Sequence, residues 1–184
     1  MTLCNRGIYL KNGRLELNAD IDHVVKAYSN DRDINYSKQV TVFSEGKTAW
    51  LSNFSVTNED GLDYLQIKSQ VTVDVEVEAA EDIDDIYIGL GINDANEMRI
   101  MTLFSKFYQK AYPLKKGKNN IKCRVGRLGL KPGVYKVEVF IGNDQKTLDY
   151  YNYGLQFEVF PSQNTRHLLP DSSQGSVFVD QQWF

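Results

Sequence analysis

An antiparallel β-sandwich of immunoglobulin-like or jelly-roll type is the fold class this sequence predicts, and three observations predict it. Short segments alternate apolar and polar residues with period two, as strands with one buried and one wet face do. Turn signals separate them at Asp60-Gly61, Asp94-Ala95-Asn96, Lys116-Gly117, Pro132-Gly133 and Gly142-Asn143. Between those turns no segment carries a convincing helical period, which leaves a sandwich as the economical all-β solution. The chain has 184 residues, 42% hydrophobic and 12% aromatic, enough for one medium domain or a smaller one carrying extensions.

The elements follow in order. Gly7–Leu17 places Asn12-Gly13 between two apolar runs, and both residues tolerate the positive φ of a two-residue hairpin turn, so a β-hairpin is predicted. Asp20 can cap a short helix with Ile21, Val24, Val25 and Tyr28 on one face. A hairpin and one short helix bury too little to fold alone, so residues 1–30 read as the end of something else. Residues 31–40 are polar and aperiodic, a linker. The sandwich is expected over 41–161. Its strands are signalled around Trp50–Val56, by Val71, Val73, Val75 and Val77, by Ile86, Ile88, Leu90 and Ile92, and around Arg99–Phe104. The later ones follow at Ile121, Cys123 and Val125, at Tyr135, Val137, Val139 and Ile141, and at Leu155, Phe157 and Val159. Residues 162–184 form a polar tether ending in a short apolar strand, VFVDQQWF, able to pair with its own sheet or with another subunit's.

Composition excludes several classes. No apolar stretch approaches the 18 or so residues of a membrane span, and the first residues lack a secretory signal. The two cysteines, Cys4 and Cys123, lie far apart and fit reduced thiols in a cytosolic protein. His23 and His167 have no second ligand or nucleophile nearby in sequence, so neither zinc sites nor Ser-His or Cys-His catalysis is expected. Glu81, Asp82, Asp84 and Asp85 lack the spacing and glycine of a calcium loop and read as a solvated turn. No glycine-rich phosphate loop is present, because Gly89 and Gly91 lie inside a strand.

Charge is unevenly placed. The net −3 combines a stretch from Glu45 to Asp94 with twelve acids and two bases and a stretch from Ala95 to Lys136 with eleven bases and one acid. Either strands from the two stretches lie side by side and neutralise one another, or the basic stretch is a surface for an anionic partner. The acidic overall balance disfavours single-stranded nucleic acid as that partner.

Two features point to a ligand surface. With Ile88, Leu90 and Ile92 facing inward, Tyr87, Gly89, Gly91 and Asn93 face outward, and two bare positions beside a tyrosine make a shallow groove. The competing reading is that the glycines merely relieve crowding at a bulge or under a covering segment. Phe104, Phe107, Tyr108 and Tyr112 interleave with Lys106 and Lys110, and Tyr150 and Tyr151 sit in a predicted loop before the last sandwich strand. Such rings stack on sugar faces, though edge and corner aromatics also serve simply to close a sandwich. With Arg99 at the head of the basic stretch, the candidate contact set is Tyr87, Gly89, Gly91, Asn93, Arg99, Lys106, Tyr108 and Tyr151.

Two resemblances then coincide. Leu3–Tyr28, LCNRGIYLKNGRLELNADIDHVVKAY, resembles the end of an ABC-transporter ATPase domain, where C-[DN]-R-x-[IAG]-x-x-L-x-x-G-R precedes a short helix ending in Tyr. The Walker, signature and switch-histidine motifs of that family are not in this sequence, and His23 is not the switch histidine. From about Val40 the chain resembles the C-terminal domain of Wzt-type ATPases that export O-antigen polysaccharides. The resemblance rests on the V-x-V strand at Val71–Val77, IGLGIND at Ile88–Asp94, LKPGVYKVEV at Leu130–Val139, YGLQFEV at Tyr153–Val159 and the terminal GSVFVDQQW. The sequence departs from the pattern at Asn96-Glu97, where a glycine often closes the hairpin.

The resemblance implies a non-catalytic carbohydrate-binding module, without cofactor or metal, at the cytoplasmic face of the inner membrane. Its partners would be a lipid-linked O-antigen polysaccharide, read often through its non-reducing end, and the membrane transporter subunit reached through the parent ATPase. Nucleic acid is not among them. The ATPase of this family works as a pair, which implies a homodimer and allows exchange of a C-terminal strand carrying Val177, Phe178, Val179 and Trp183. The competing function is a structural module that dimerises and couples the ATPase without touching glycan. An autonomous glycan hydrolase or lyase is disfavoured, since no pair of carboxylates is marked out by spacing.

Overall fold

The computed structural model describes residues 5–31, 37–39, 46–62, 64–161 and 175–179. The N-terminal unit is the expected hairpin and helix. Strands β1 (Arg6–Lys11) and β2 (Arg14–Asp20) pair antiparallel across Asn12 and Gly13, whose φ values of 50° and 76° are the left-handed pair such a turn needs. Helix α1 (Ile21–Asp31) folds back on the hairpin. Ile21 and Val24 press against Gly7, where a Cβ would come within 3.0–3.1 Å of them. Tyr9 packs edge-on against Tyr28, and the Tyr9 hydroxyl and Lys11 ammonium both bond the Asp31 carboxylate at the helix end.

The remaining described strands are β3 (Ser37–Gln39), β4 (Ala49–Asn58), β5 (Leu65–Gln66), β6 (Val71–Ala79), β7 (Ile83–Asn93) and β8 (Arg99–Phe104), then a 3-10 turn at Ser105–Tyr108. After it come β9 (Tyr112–Leu114), β10 (Gly117–Val125), β11 (Gly133–Gly142) and β12 (Thr147–Phe160). They form two sheets, one ordered β10-β6-β4-β3 and the other β5-β12-β11-β7-β8, with β9 beside the first part of β7. All pairings are antiparallel except β5 with β12. The alternation seen in the sequence holds: Val71, Val73, Val75 and Val77 of one sheet and Ile86, Ile88, Leu90, Ile92, Val137, Val139 and Ile141 of the other belong to one buried cluster.

β4 changes the parity of its buried positions midway. Ala49 and Leu51 are buried, then a bulge at Ser52 shifts the buried set to Phe54 and Val56. The Ser52 hydroxyl donates to Glu76 Oε1 at 2.8 Å, which first, and Lys118 second, holds the Glu76 carboxyl below its ordinary range. Across the core, the buried Asp149 carboxylate on β12 accepts the Leu51 backbone N–H at 2.8 Å and pairs with Lys47. One acid thereby ties the two sheets together.

The uneven charge resolves in favour of neutralisation. β6 carries Asp74 and Glu76, and its neighbour β10 answers with Lys122 and Lys118, each at 3.1 Å. Arg124 reaches Glu59 at 3.2 Å and Lys115 reaches Asp82 at 2.9 Å. The lysines also give β10 a charged rim, suited to an edge strand that no further described strand covers.

Two expectations shift. Ser37–Gln39, within the expected linker, pairs with β4 as an edge strand. Tyr150 and Tyr151 lie within β12, which starts at Thr147, because the turn after Gly142 is tighter than a loop would be: Asn143 N–H bonds Lys146 O at 3.0 Å. The described residues of the C-terminal segment, 175–179, take the same-chain alternative, with Val177 bridging to Leu130 and Phe178 N–H bonded to Gly129 O. Lys68 lies over the Phe178 ring, 4.6 Å from its centroid. Trp183 lies outside the described residues.

Gly129 is what lets that segment approach, since a Cβ there would overlap the Phe178 carbonyl oxygen. A Gly129→Val variant is expected to release residues 175–179, read as lost amide-exchange protection at Phe178, with the urea midpoint of the sandwich nearly unchanged. Retained protection would mean that the segment is held elsewhere.

Candidate functional site

Strand β7 runs between β8 and β11, and its outward positions meet theirs in pairs. Gly89 lies opposite Phe104 on one side and Phe140 on the other, while Gly91 lies opposite Thr102 and Glu138. Because neither glycine carries a side chain, the flanking residues become walls and the β7 backbone becomes a floor. The resulting groove holds about 320 Å³ and is lined by Gly89, Gly91, Arg99, Thr102, Phe104, Glu138, Phe140 and Tyr150.

The floor is already in use at Gly91. The Arg99 guanidinium lies over it so closely that a Cβ would overlap it. Arg99 Nε donates to Asn93 Oδ1 at 2.6 Å, and its Nη2 pairs with Glu138 Oε2. Asn93 Nδ2 donates to Glu138 Oε1 at 2.7 Å, and the Tyr150 hydroxyl donates to Glu138 Oε2. The Tyr150 hydrogen bond, then that of Asn93 and the charge of Arg99, outweigh desolvation and hold the Glu138 carboxyl below the ordinary glutamate range. The same hydrogen bond to Glu138 raises the Tyr150 hydroxyl above its ordinary value.

Aromatic rings close the other end. Phe104 packs edge-on against Tyr87, Phe107 and Phe140, with centroids 6.3, 5.4 and 5.8 Å away. The Lys106 ammonium sits 5.4 Å above the Tyr87 ring and pairs with Asp144 of the β11–β12 turn.

Of the residues singled out in the sequence, Gly89, Gly91 and Arg99 line the groove. Asn93 is buried beneath it as a bridge between Arg99 and Glu138, and Tyr87 and Lys106 stand at its aromatic end. Tyr108, 85% exposed in the 3-10 turn, lines a separate cavity. Tyr151 is the correction: it is buried in the core, paired with Val139, and desolvation raises its hydroxyl pKa. Its neighbour Tyr150, opposite outward-facing Phe140, reaches the groove instead. The residues that sequence reasoning missed are Thr102, Glu138 and Phe140. The inward set of β11 implied the outward positions of Glu138 and Phe140, but no signal in the sequence placed β11 beside β7.

The separate cavity, about 480 Å³, opens between the edges of β8 and β10 and reaches Ile88, Leu90, Leu103, Ile121 and Cys123. Burial pushes the Cys123 thiol up, away from the thiolate a nucleophile needs. Among the described residues no group of three or more His, Cys, Asp or Glu could hold a metal ion. No helix among them is long and apolar enough to cross a membrane.

Comparison with known proteins bears on this architecture. Residues 44–173 match the family model of the Wzt C-terminal domain. Among solved structures, a crystal structure of the C-terminal domain of Wzt superposes with a TM-score of 0.62 at 16% identity, covering 81% of this chain and 87% of that one. A β-glucuronidase from glycoside hydrolase family 2 matches at TM-score 0.39 and 20% identity over 53% of this chain and 10% of its own. The Pseudomonas fluorescens alkylpurine DNA glycosylase AlkC matches at 0.41 and 14%, over 62% and 31%. No curated protein matches the chain.

Proposed function

The chain belongs to the Wzt C-terminal domain family, and from that premise we propose that its sandwich is a non-catalytic carbohydrate-binding module that recognises a lipid-linked O-antigen polysaccharide for export by an ABC transporter. The observation that carries this reading is the groove on β7. A main-chain floor at Gly89 and Gly91, covered at Gly91 by the Arg99 guanidinium, three aromatic side chains around it, and a polar network of Asn93, Arg99, Glu138 and Tyr150 at one end suit a sugar ring. Its CH face stacks on a ring while its hydroxyls exchange hydrogen bonds with charged groups. Nothing in the groove resembles a nucleophile with its base.

On the same reading, the hairpin and helix of residues 5–31, which precede the family match, are the end of an ATPase domain. The transporter and the cytoplasmic face of the inner membrane are then reached through that domain. Pairing of the ATPase would bring two sandwiches together, and the segment at Val177–Val179, with Trp183 beyond it, is the element available for exchange between them.

Calorimetric titration of the purified O-polysaccharide of the source strain tests the proposal. Saturable binding is expected, and Arg99→Ala should weaken it roughly tenfold or more, the scale of a charged hydrogen bond lost. If the polymer does not bind and truncation before Gly175 abolishes dimer and export together, the coupling role without glycan contact takes its place.

A further inference from the structure

We propose that the sugar read by this groove is uncharged: a neutral hexose or deoxyhexose unit without carboxylate, phosphate or free amine. This rests on the glycan-binding reading and narrows it to a substrate class. The basis is how the charges on the outer face are committed. The groove lining contains one cation and one anion, Arg99 and Glu138, and they are paired with each other. Both Glu138 oxygens are engaged, Oε1 by Asn93 and Oε2 by Arg99 and Tyr150. The ionisable groups nearest along the same face are matched too, Lys136 with Glu97 at 2.7 Å and Lys106 with Asp144.

The groove lining therefore presents no unpaired charge to an incoming ligand. A carboxylate or phosphate could reach Arg99 only within a few ångströms of Glu138, and would have to displace it. A protonated amine meets the converse difficulty with Arg99. A pair of vicinal hydroxyls suits the site without disruption, one accepting from the guanidinium edge and the other donating to the carboxylate. The sugar's apolar face is then left for Phe104, Phe140 or Tyr150.

The basic run from Ala95 to Lys136 would have suggested the opposite, an anionic ligand. Three of its cations, Lys115, Lys118 and Lys122, are instead paired with acids of β6 and of the β6–β7 turn.

The test uses the full chain, labelled for amide NMR, and sugar pairs that differ in one charged substituent: galactose against galacturonate, mannose against mannose 6-phosphate, glucose against glucosamine. At least one neutral sugar should shift the Gly89 and Gly91 amides, with its charged counterpart roughly fivefold weaker or more. Glu138→Gln leaves Arg99 uncompensated, so the anionic sugars should gain on the neutral ones while galactose and mannose lose affinity. A charged sugar that binds the wild-type groove as well as its neutral counterpart, or an unchanged order in Glu138→Gln, overturns the proposal and leaves glycan binding standing. No groove response to any of these sugars, together with no binding of the source O-polysaccharide, overturns both.

Discussion

Alanine at position 91 is expected to cost the groove about ten- to a hundredfold in affinity for the source O-polysaccharide while leaving the sandwich folded. The added methyl occupies the space where the Arg99 guanidinium lies. Arg99 is a flexible side chain, 44% exposed, so it yields by swinging outward rather than by straining the sheet. In doing so it leaves Asn93 and Glu138, and the polar end of the groove loses its cation. Alanine is no worse than glycine within a strand, so stability should change by less than about 1 kcal/mol. Paired titration and urea denaturation check this. Affinity that survives intact would move the site off β7; affinity and stability lost together would make Gly91 a packing glycine and nothing more.

The largest effect on stability is expected from Asp149→Ala. Its carboxylate is buried between the sheets, accepting the Leu51 N–H and pairing with Lys47. Lys47 is partly exposed and can turn to water, but the Leu51 N–H sits at a fully buried residue and loses its acceptor. Leaving a buried backbone donor unsatisfied costs about 1–3 kcal/mol, a large share of a domain's total. Urea unfolding should show that loss in the midpoint at constant slope. Asp149→Asn keeps an oxygen for Leu51 and should recover part of it. If Asp149→Ala is neutral, the carboxylate is positioned by the fold without holding it.

Strand faces were legible because alternation is local. Val71 to Val77 and Tyr135 to Ile141 declare their buried sides without reference to any neighbour. Legibility fails where one residue of register decides the outcome. Tyr150 and Tyr151 are adjacent and identical, and only their place in β12 sends one to the groove and the other to the core. Between Tyr151 and Leu155 that strand bulges, three residues standing opposite Glu138 alone, an irregularity that no pattern announces. β4 is similar, since the bulge at Ser52 inverts its parity. The bareness of Gly91 pointed either to a ligand at the backbone or to a covering group, and a covering group is what lies there. The group that approaches is Arg99 of the same chain, a non-local fact that depends on β8 lying beside β7.

The two glycines of β7 also bear on how such a domain changes over time. A floor of main chain is indifferent to what stands around it. Thr102, Phe104, Glu138, Phe140 and Tyr150 all project from strands whose opposite faces carry the packing, in Leu103, Val137, Val139 and Tyr151. Substitutions at these outward positions leave the buried set untouched, so the wall chemistry can drift independently of the fold. The sandwich is in that sense a fixed palm with exchangeable fingers, and under the proposed glycan-binding role its grip is open to retuning one side chain at a time.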